Sequence, residues 1–285
     1  MFPGGNTPQG FFSFYDQMIH QEATKIFVLK GGPGTGKSTL MKKIGATMVE
    51  NGFDCEYHCC SSDNDSLDGV VIPALQIAVL DGTAPHVVDP RNPGAVDEIV
   101  HLGDYWDEQG LQYAKEEILA SNREISRLFQ RAYDYLVAAK IFLEQVESYY
   151  QDTNALSTGF LDTVYLTLSQ QLFSRRSPQT NAPSVRHLFA TAITPQGYVS
   201  HLDTLVGHLG KRFIITGDEG TGKSTLIARL MESAVIHGFH VEAFHCAMDP
   251  QKVEHIIIPA LDAAVITSVE PHFYQPCLLY TSRCV

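Results

Sequence analysis

The apolar positions fall into short β-leaning runs joined by loops and helical stretches, and the succession occurs twice. Residues 25–30 form an apolar run that ends at a glycine-rich loop. A helix over 37–51 follows, closed by Gly52 in the place of a C-terminal cap. Residues 53–60 read as a second strand. In the stretch 69–80, Pro73 interrupts the first half, and the apolar second half, 76–80, fits a buried parallel strand. The same order returns at 212–216, at 223–237 closed by Gly238, at 239–246 and at 255–266. Strand–helix–strand alternation predicts an α/β fold with mostly parallel sheets in three layers.

The recurrence is a duplication. Thr7-Pro8-Gln9-Gly10 returns as Thr194-Pro195-Gln196-Gly197, an offset of 187. Beyond it the offset is 186: Gly52-Phe53 returns as Gly238-Phe239, Glu56 as Glu242, Cys60 as Cys246, Asp63 as Asp249, and Ile72-Pro73-Ala74-Leu75 as Ile258-Pro259-Ala260-Leu261. A period this long means two whole domains in tandem, not a solenoid.

Copy one continues into a stretch without a partner. Residues 107–173 are polar with apolar positions at helical spacing, among them Ile118, Ile125, Leu128, Phe129, Ala132, Leu136, Ala139, Phe142, Leu143 and Val146. At least two long helices are expected, in the manner of a hairpin standing off the sheet. The polar segment 174–183, with two prolines, is the expected linker. The expected domains are 1–183, with its helical insertion, and 184–276, truncated relative to the repeat. Residues 277–285 (CLLYTSRCV) read like an in-frame translation of library adapter sequence and are set aside. A second half that stops early is expected to be under-packed, with apolar sheet surface exposed.

Composition narrows the function. Of 285 residues, 44% are hydrophobic and 18% charged, which is ordinary globular usage, and the formal charge is −12. Such acidity excludes the basic footprint of a general nucleic-acid binder. No apolar run is long enough to span a membrane, and the N-terminus lacks the pattern of a secretory signal. The six cysteines are irregularly spaced, which suits a reducing cytoplasm.

The chemistry lies in two matches to G-x-x-x-x-G-K-[ST]. The first is Gly31-Gly32-Pro33-Gly34-Thr35-Gly36-Lys37-Ser38, followed by Thr39. The second runs from Gly217 through Gly220, Thr221, Gly222, Lys223 and Ser224 to Thr225. Glycines let the backbone turn its N–H groups onto phosphate, and the following helix adds its positive end. The lysine reaches the β- and γ-phosphates and the serine hydroxyl ligates Mg²⁺. Ser38 and Ser224 are therefore metal candidates. In the second loop Asp218-Glu219 replaces Gly32-Pro33, and like charges there weaken phosphate binding.

Phosphoryl chemistry also needs an acid at a strand end. Asp81 closes an apolar run, and Thr267 stands at its place in copy two. Asp63, present in both copies, is the second candidate, although both residues also suit turns. Phe11, Phe12 and Tyr198 are candidates to flank an adenine, but are more simply read as packing aromatics. The same holds for Arg175-Arg176 as an arginine finger against a solvated linker pair. His58, Cys59, Cys60, His245 and Cys246 lack the spacing of a metal site. His86 and His272 recur after proline and suit either a site edge or a turn, and 89–94 reads as an ordered loop over the site.

The motifs GGPGTGKST, VIPAL, VLDGTAPHVVDP and ATAITPQG resemble a family of bacterial tandem P-loop ATPases, over residues 2–272. The resemblance implies a cytoplasmic, Mg-dependent ATP-binding protein. The expected activity is ATP hydrolysis at the first loop, with Lys37 on the phosphates and Asp81 or Asp63 completing the site. The second loop is degenerate or regulatory, and the partner is an unspecified protein or small molecule. A nucleotide or small-molecule kinase, whose long helices close over an acceptor, and a non-catalytic nucleotide sensor are the alternatives. No N-K-x-D guanine signature and no LSGGQ-type signature is present.

Overall fold

The computed structural model describes residues 1–19, 23–83, 87–153, 158–174, 177 and 182–274. Each copy carries a hairpin near its start. Strands β1 (Gly4–Thr7) and β2 (Gly10–Ser13) pair antiparallel across the repeated T-P-Q-G turn. There the Thr7 hydroxyl donates to Gly10 O at 2.8 Å and accepts from Gln9 N at 3.0 Å. Then follow β3 (Lys25–Lys30), α1 (Lys37–Glu50), β4 (Glu56–Cys59), β5 (Leu67–Ile72), β6 (Ile77–Asp81) and β7 (Asp97–His101). The sheet order is β4-β5-β6-β3-β7.

The insertion holds α2 (Glu108–Tyr113), α3 (Lys115–Asp152) and α4 (Thr158–Leu172). The second copy comprises β8 (Val185–Leu188), the hairpin β9 (Thr191–Thr194) and β10 (Gly197–Ser200), α5 (Leu202–Val206), β11 (Lys211–Ile215), α6 (Lys223–Ile236), β12 (Val241–His245), β13 (Val253–Ile258) and β14 (Ala263–Thr267). Its sheet order is β11-β14-β13-β12-β8.

The sheets are mixed, where mostly parallel ones were expected. β3 pairs parallel with β6 and β7, but β5 pairs antiparallel with both β4 and β6. The cause is local. Pro73 opens a 3-10 turn, Pro73–Leu75, closed by Gln76 in the left-handed region at φ +54°. A turn this tight reverses the chain, and reversed neighbours pair antiparallel. Pro259–Leu261 and Asp262 (φ +48°) repeat the device between β13 and β14. β7, which follows the expected loop at 89–94, is a strand that sequence reasoning missed.

The packing of the second half reverses the expectation of exposed sheet. One face of its sheet is covered by α6 and by α4, which supply Leu226, Ile227 and Leu230 and Leu168 and Leu172 to a core with Ile256 and Val265. The other face packs Ile214, Phe244 and Ile266 against Leu202 and Val206 of α5. The first sheet has smaller cores: Leu29, Val70 and Val79 against Met41 of α1, and Val71, Ala78 and Leu80 against Tyr15 and Met18. The second half is well covered because the insertion donates α4 to it and β8 adds to β12. The insertion therefore does not stand off as a free hairpin.

The halves join at the hairpins. Phe2 and Phe189 exchange backbone hydrogen bonds at 2.8 and 3.0 Å, and Asn6 Nδ2 donates to Ile193 O at 2.9 Å. Arg186 on β8 reaches across, its guanidinium donating to both oxygens of Glu56 at 3.0 and 2.6 Å and to Glu242 at 3.5 Å. Glu56 and Glu242 are repeat equivalents, so one arginine serves the same position of both copies. Burial alone pushes the Glu56 carboxyl up; the Arg186 and His58 contacts reverse this and hold it down at about 2.

Candidate functional site

The first loop lies between β3 and α1. Gly34 and Gly36 sit at φ +79° and +83°, and Gly36 caps the fourteen-residue helix. The parallel register sets Asp81, the last residue of β6, beside Leu29 of β3. Lys37 Nζ consequently lies 3.6 Å from Asp81 Oδ2, while donating to the loop carbonyls of Gly31 and Gly32 at 2.6 and 3.0 Å. Asp81 Oδ1 accepts from Thr83 N at 2.9 Å, and the Thr83 hydroxyl donates to Gly31 O at 2.9 Å, tying strand end to loop. Ser38 Oγ accepts from Leu67 N at 3.0 Å, and Thr35 Oγ donates to Gly32 O at 2.9 Å. Pro33 and Thr39 are exposed.

The structure thus sets Lys37 beside Asp81, with Ser38 following Lys37 at the start of α1. A helix N-terminus, a glycine loop and an ammonium favour an anion. An alcohol with a lone pair beyond its Leu67 bond and a carboxylate are hard oxygen donors of the kind Mg²⁺ takes. Asp63 is not part of this group. Its carboxylate accepts from Asp65 N and from the Ser66 hydroxyl within its own turn, at 3.3 and 2.5 Å.

The second loop has the same backbone, with Gly220 and Gly222 at φ +82° and +86°. Lys223 Nζ donates to Gly217 O and Asp218 O at 2.8 and 2.7 Å, and Glu219 Oε1 stands 3.8 Å from it. Asp218 accepts from the Tyr150 hydroxyl of α3 at 3.3 Å. The insertion lies over this loop. A Cβ on Gly220 would meet Glu147 Cα at 3.0 Å, and one on Gly222 would meet Leu161 at 2.6 Å. Lys252 is paired with Glu147, and Lys140 with Asp249 at 3.3 Å. The cavity left between Lys223, Ser224, Tyr150 and Glu254 measures about 220 Å³. Thr225 also lines it, and Thr221 Oγ donates to Asp218 O at 2.7 Å within the loop.

Sequence reasoning missed a pair of acids. Asp68 lies on a bulge of β5 between the pairs Cys59–Leu67 and His58–Gly69. Glu254 lies on the equivalent bulge of β13. Burial raises Asp68 to about 6, with Asp81 and Asp63 adding to the rise against hydrogen bonds from Tyr15 and Cys60. Burial likewise raises Glu254. The signal was available: 68 and 254 differ by the repeat offset of 186. Trp106, whose ring would meet a Cβ on Gly32 at 3.2 Å, was missed as well.

Glu254, His255 and His272 bring one oxygen and two nitrogens within 4.8 Å of one another. His255 Nδ1 accepts from Thr267 N at 3.2 Å. Neutral imidazole then carries its proton on Nε2, 3.9 Å from the Glu254 carboxylate. Burial holds His255 neutral, down at about 3. A protonated Nε2 offers a metal no lone pair, so this trio is not a three-ligand metal centre.

Phe12 packs on Phe14 and Phe189, and Tyr198 stacks on His272 at 5.4 Å with its hydroxyl on Thr191. These aromatics belong to the hairpin junction and the edge of the second site. His245 donates from Nδ1 to Pro250 O at 2.7 Å and accepts from His187 at 2.8 Å, which is a structural chain. Cys55, Cys59, Cys60 and Cys246 are free thiols. Lys30, donating to Gly82 O and Val88 O, anchors the loop that leads to β7. Arg175, Arg176 and His86 lie outside the described residues. No helix among the described residues is long and apolar enough to cross a membrane.

Against known proteins, a family model described as Nephrocystin 3, N-terminal, matches residues 12–74. That segment runs from β2 through the first loop and α1 to the turn after β5. No curated protein and no solved structure matches the chain. The resemblance to bacterial tandem ATPases has no counterpart among these matches.

Proposed function

We propose that the protein is a tandem P-loop NTPase that binds ATP with Mg²⁺ and hydrolyses it at the first loop. The observation that carries this reading is the placement of Lys37 beside Asp81, with Ser38 following Lys37, on a glycine loop that opens α1. In this reading the loop N–H groups and Lys37 bind the phosphates, Lys37 exchanging the carbonyls of Gly31 and Gly32 for phosphate oxygens. Ser38 and Asp81 would hold Mg²⁺, which neutralises charge developing on the phosphates. Thr83 fixes Asp81 against the loop.

The second loop is proposed as a regulatory half. Thr267 replaces the strand-end acid, and the Asp218-Glu219 pair brings two extra carboxylates to the loop. The kinase alternative asks the long helices of 107–173 to close over an acceptor, and a phosphoryl donor at the first loop would need them there. α3 and α4 cover the second loop instead, which favours hydrolysis.

The test is ATP binding and phosphate release by the full chain carrying Lys37→Ala or Lys223→Ala. Lys37→Ala is expected to abolish turnover, by about 100-fold or more, while Lys223→Ala retains it. Turnover lost only in Lys223→Ala would overturn the assignment of the halves, and no turnover in the unmodified chain would overturn hydrolysis.

A further inference from the structure

Two apolar stripes run along α3. One faces the body of the protein: Phe129, Tyr133, Leu136 and Leu143 are half-buried. The other faces water. Ile125, Leu128, Ala132, Tyr135, Ala139, Phe142, Val146 and Tyr149 are all exposed. Tyr135 is 78%, Phe142 74% and Tyr149 68% exposed. Their spacing alternates strictly between three and four residues. That 3.5-residue period is the one a coiled-coil seam presents to another helix.

The seam also says which helix. Small and large side chains alternate along its centre, with Ala132 and Ala139 between Leu128, Tyr135 and Phe142. Laid antiparallel on itself about Val137, the stripe pairs Ile125 with Tyr149, Leu128 with Val146, Ala132 with Phe142 and Tyr135 with Ala139. Each alanine then meets an aromatic ring, which keeps the layers near constant volume, as close packing requires. A parallel pairing would set alanine on alanine and ring on ring. Contacts in which residue i meets j and j meets i are those of a two-fold homodimer.

The area is sufficient. The seam is about 36 Å long. Taking roughly 150–250 Å² for each aromatic, it exposes on the order of 700 Å² per protomer. Fully covered on both copies, the seam would bury up to about 1,400 Å², which reaches the range of stable interfaces. We infer that a second copy of this chain docks on the outer face of α3, forming an antiparallel two-helix seam about Val137.

The full chain is measured by sedimentation equilibrium at micromolar concentration, beside Tyr135→Glu and Phe142→Glu. The unmodified chain is expected to be a dimer. Each substitution, at a position exposed in the protomer, should weaken the dimer by about 100-fold or more without changing the circular dichroism of the diluted protomer. Ala132→Cys/Phe142→Cys should oxidise to a covalent dimer, and Ala139→Cys alone should not. A monomeric unmodified chain, or a dimer indifferent to both glutamates, overturns the inference. A covalent dimer from Ala139→Cys alone overturns the antiparallel register.

Discussion

Replacing Arg186 by Met tests how the halves are held together. In the native chain Arg186 grips Glu56 with two donors, and both side chains are about three-quarters shielded, at 24% and 22% exposure. Against burial, the His58 contact and this grip together hold Glu56 down from 4.5 to about 2. At 1.36 kcal/mol per pKa unit the combined effect corresponds to about 3 kcal/mol, shared between the two contacts. Breaking a buried pair from one side costs roughly 3–5 kcal/mol, because the other charge stays behind. Arg186→Met is therefore expected to lower unfolding stability by about 3 kcal/mol at pH 7. The pH dependence is the sharper test. A depressed carboxyl contributes stability above its unfolded pKa of about 4.5 and loses it as pH falls through the folded value. In the variant, burial without the arginine leaves Glu56 easier to protonate, so the variant recovers as acid is added. The gap between the two proteins should be widest near neutrality and narrow steadily below pH 5. Urea unfolding at a series of pH values measures it, and Glu56→Gln in the same background should restore much of the loss. A gap below about 1 kcal/mol at pH 7, or one that does not change with pH, would refute the reasoning.

Two further outcomes follow from the loops and the bulges. Asp68, raised from 3.8 to about 6, stabilises the fold most when protonated; that contribution is complete below 3.8 and is lost as pH rises through 6. Asp68→Asn should accordingly be more stable than the native chain at pH 8, by about 2–3 kcal/mol, and equal to it near pH 3.5, as read from urea midpoints. Gly222→Ala and Gly36→Ala both force a side chain to positive φ, at a cost of about 1–2 kcal/mol. Only Gly222 also meets Leu161, so Gly222→Ala should melt several degrees lower than Gly36→Ala, and equal melting points would remove α4 from the second loop.

The sequence revealed what local chemistry controls. Helix α1 begins at Lys37 and α6 at Lys223 because glycine and lysine fix those points, and the hairpin turns follow from T-P-Q-G. The pairing of β5 and β6 was harder to read. Pro73 showed an interruption, but only the left-handed Gln76 shows that the chain turns back. The site was legible at Lys37, Ser38 and Asp81, which lie at ends of recognisable elements. Asp68 and Glu254 were hidden because the expected apolar stretches begin at 69 and 255, one residue beyond them, and a bulge has no signature in hydrophobic spacing. The placement of α3 and α4 over the second loop was illegible for another reason. It depends on tertiary packing between apolar faces more than fifty residues apart, such as Leu168 and Leu226, with no repeat to mark it.

α4 precedes the second repeat in sequence but lies inside the second core in space. A fragment started at the repeat would leave Leu226, Ile227 and Leu230 without Leu168 and Leu172, and would uncover the loop that α3 shields. The unit that was duplicated and the unit that holds together are therefore different lengths of chain. Anyone dividing this protein to study its halves separately should cut before α4 and expect each piece to miss something that the other supplies.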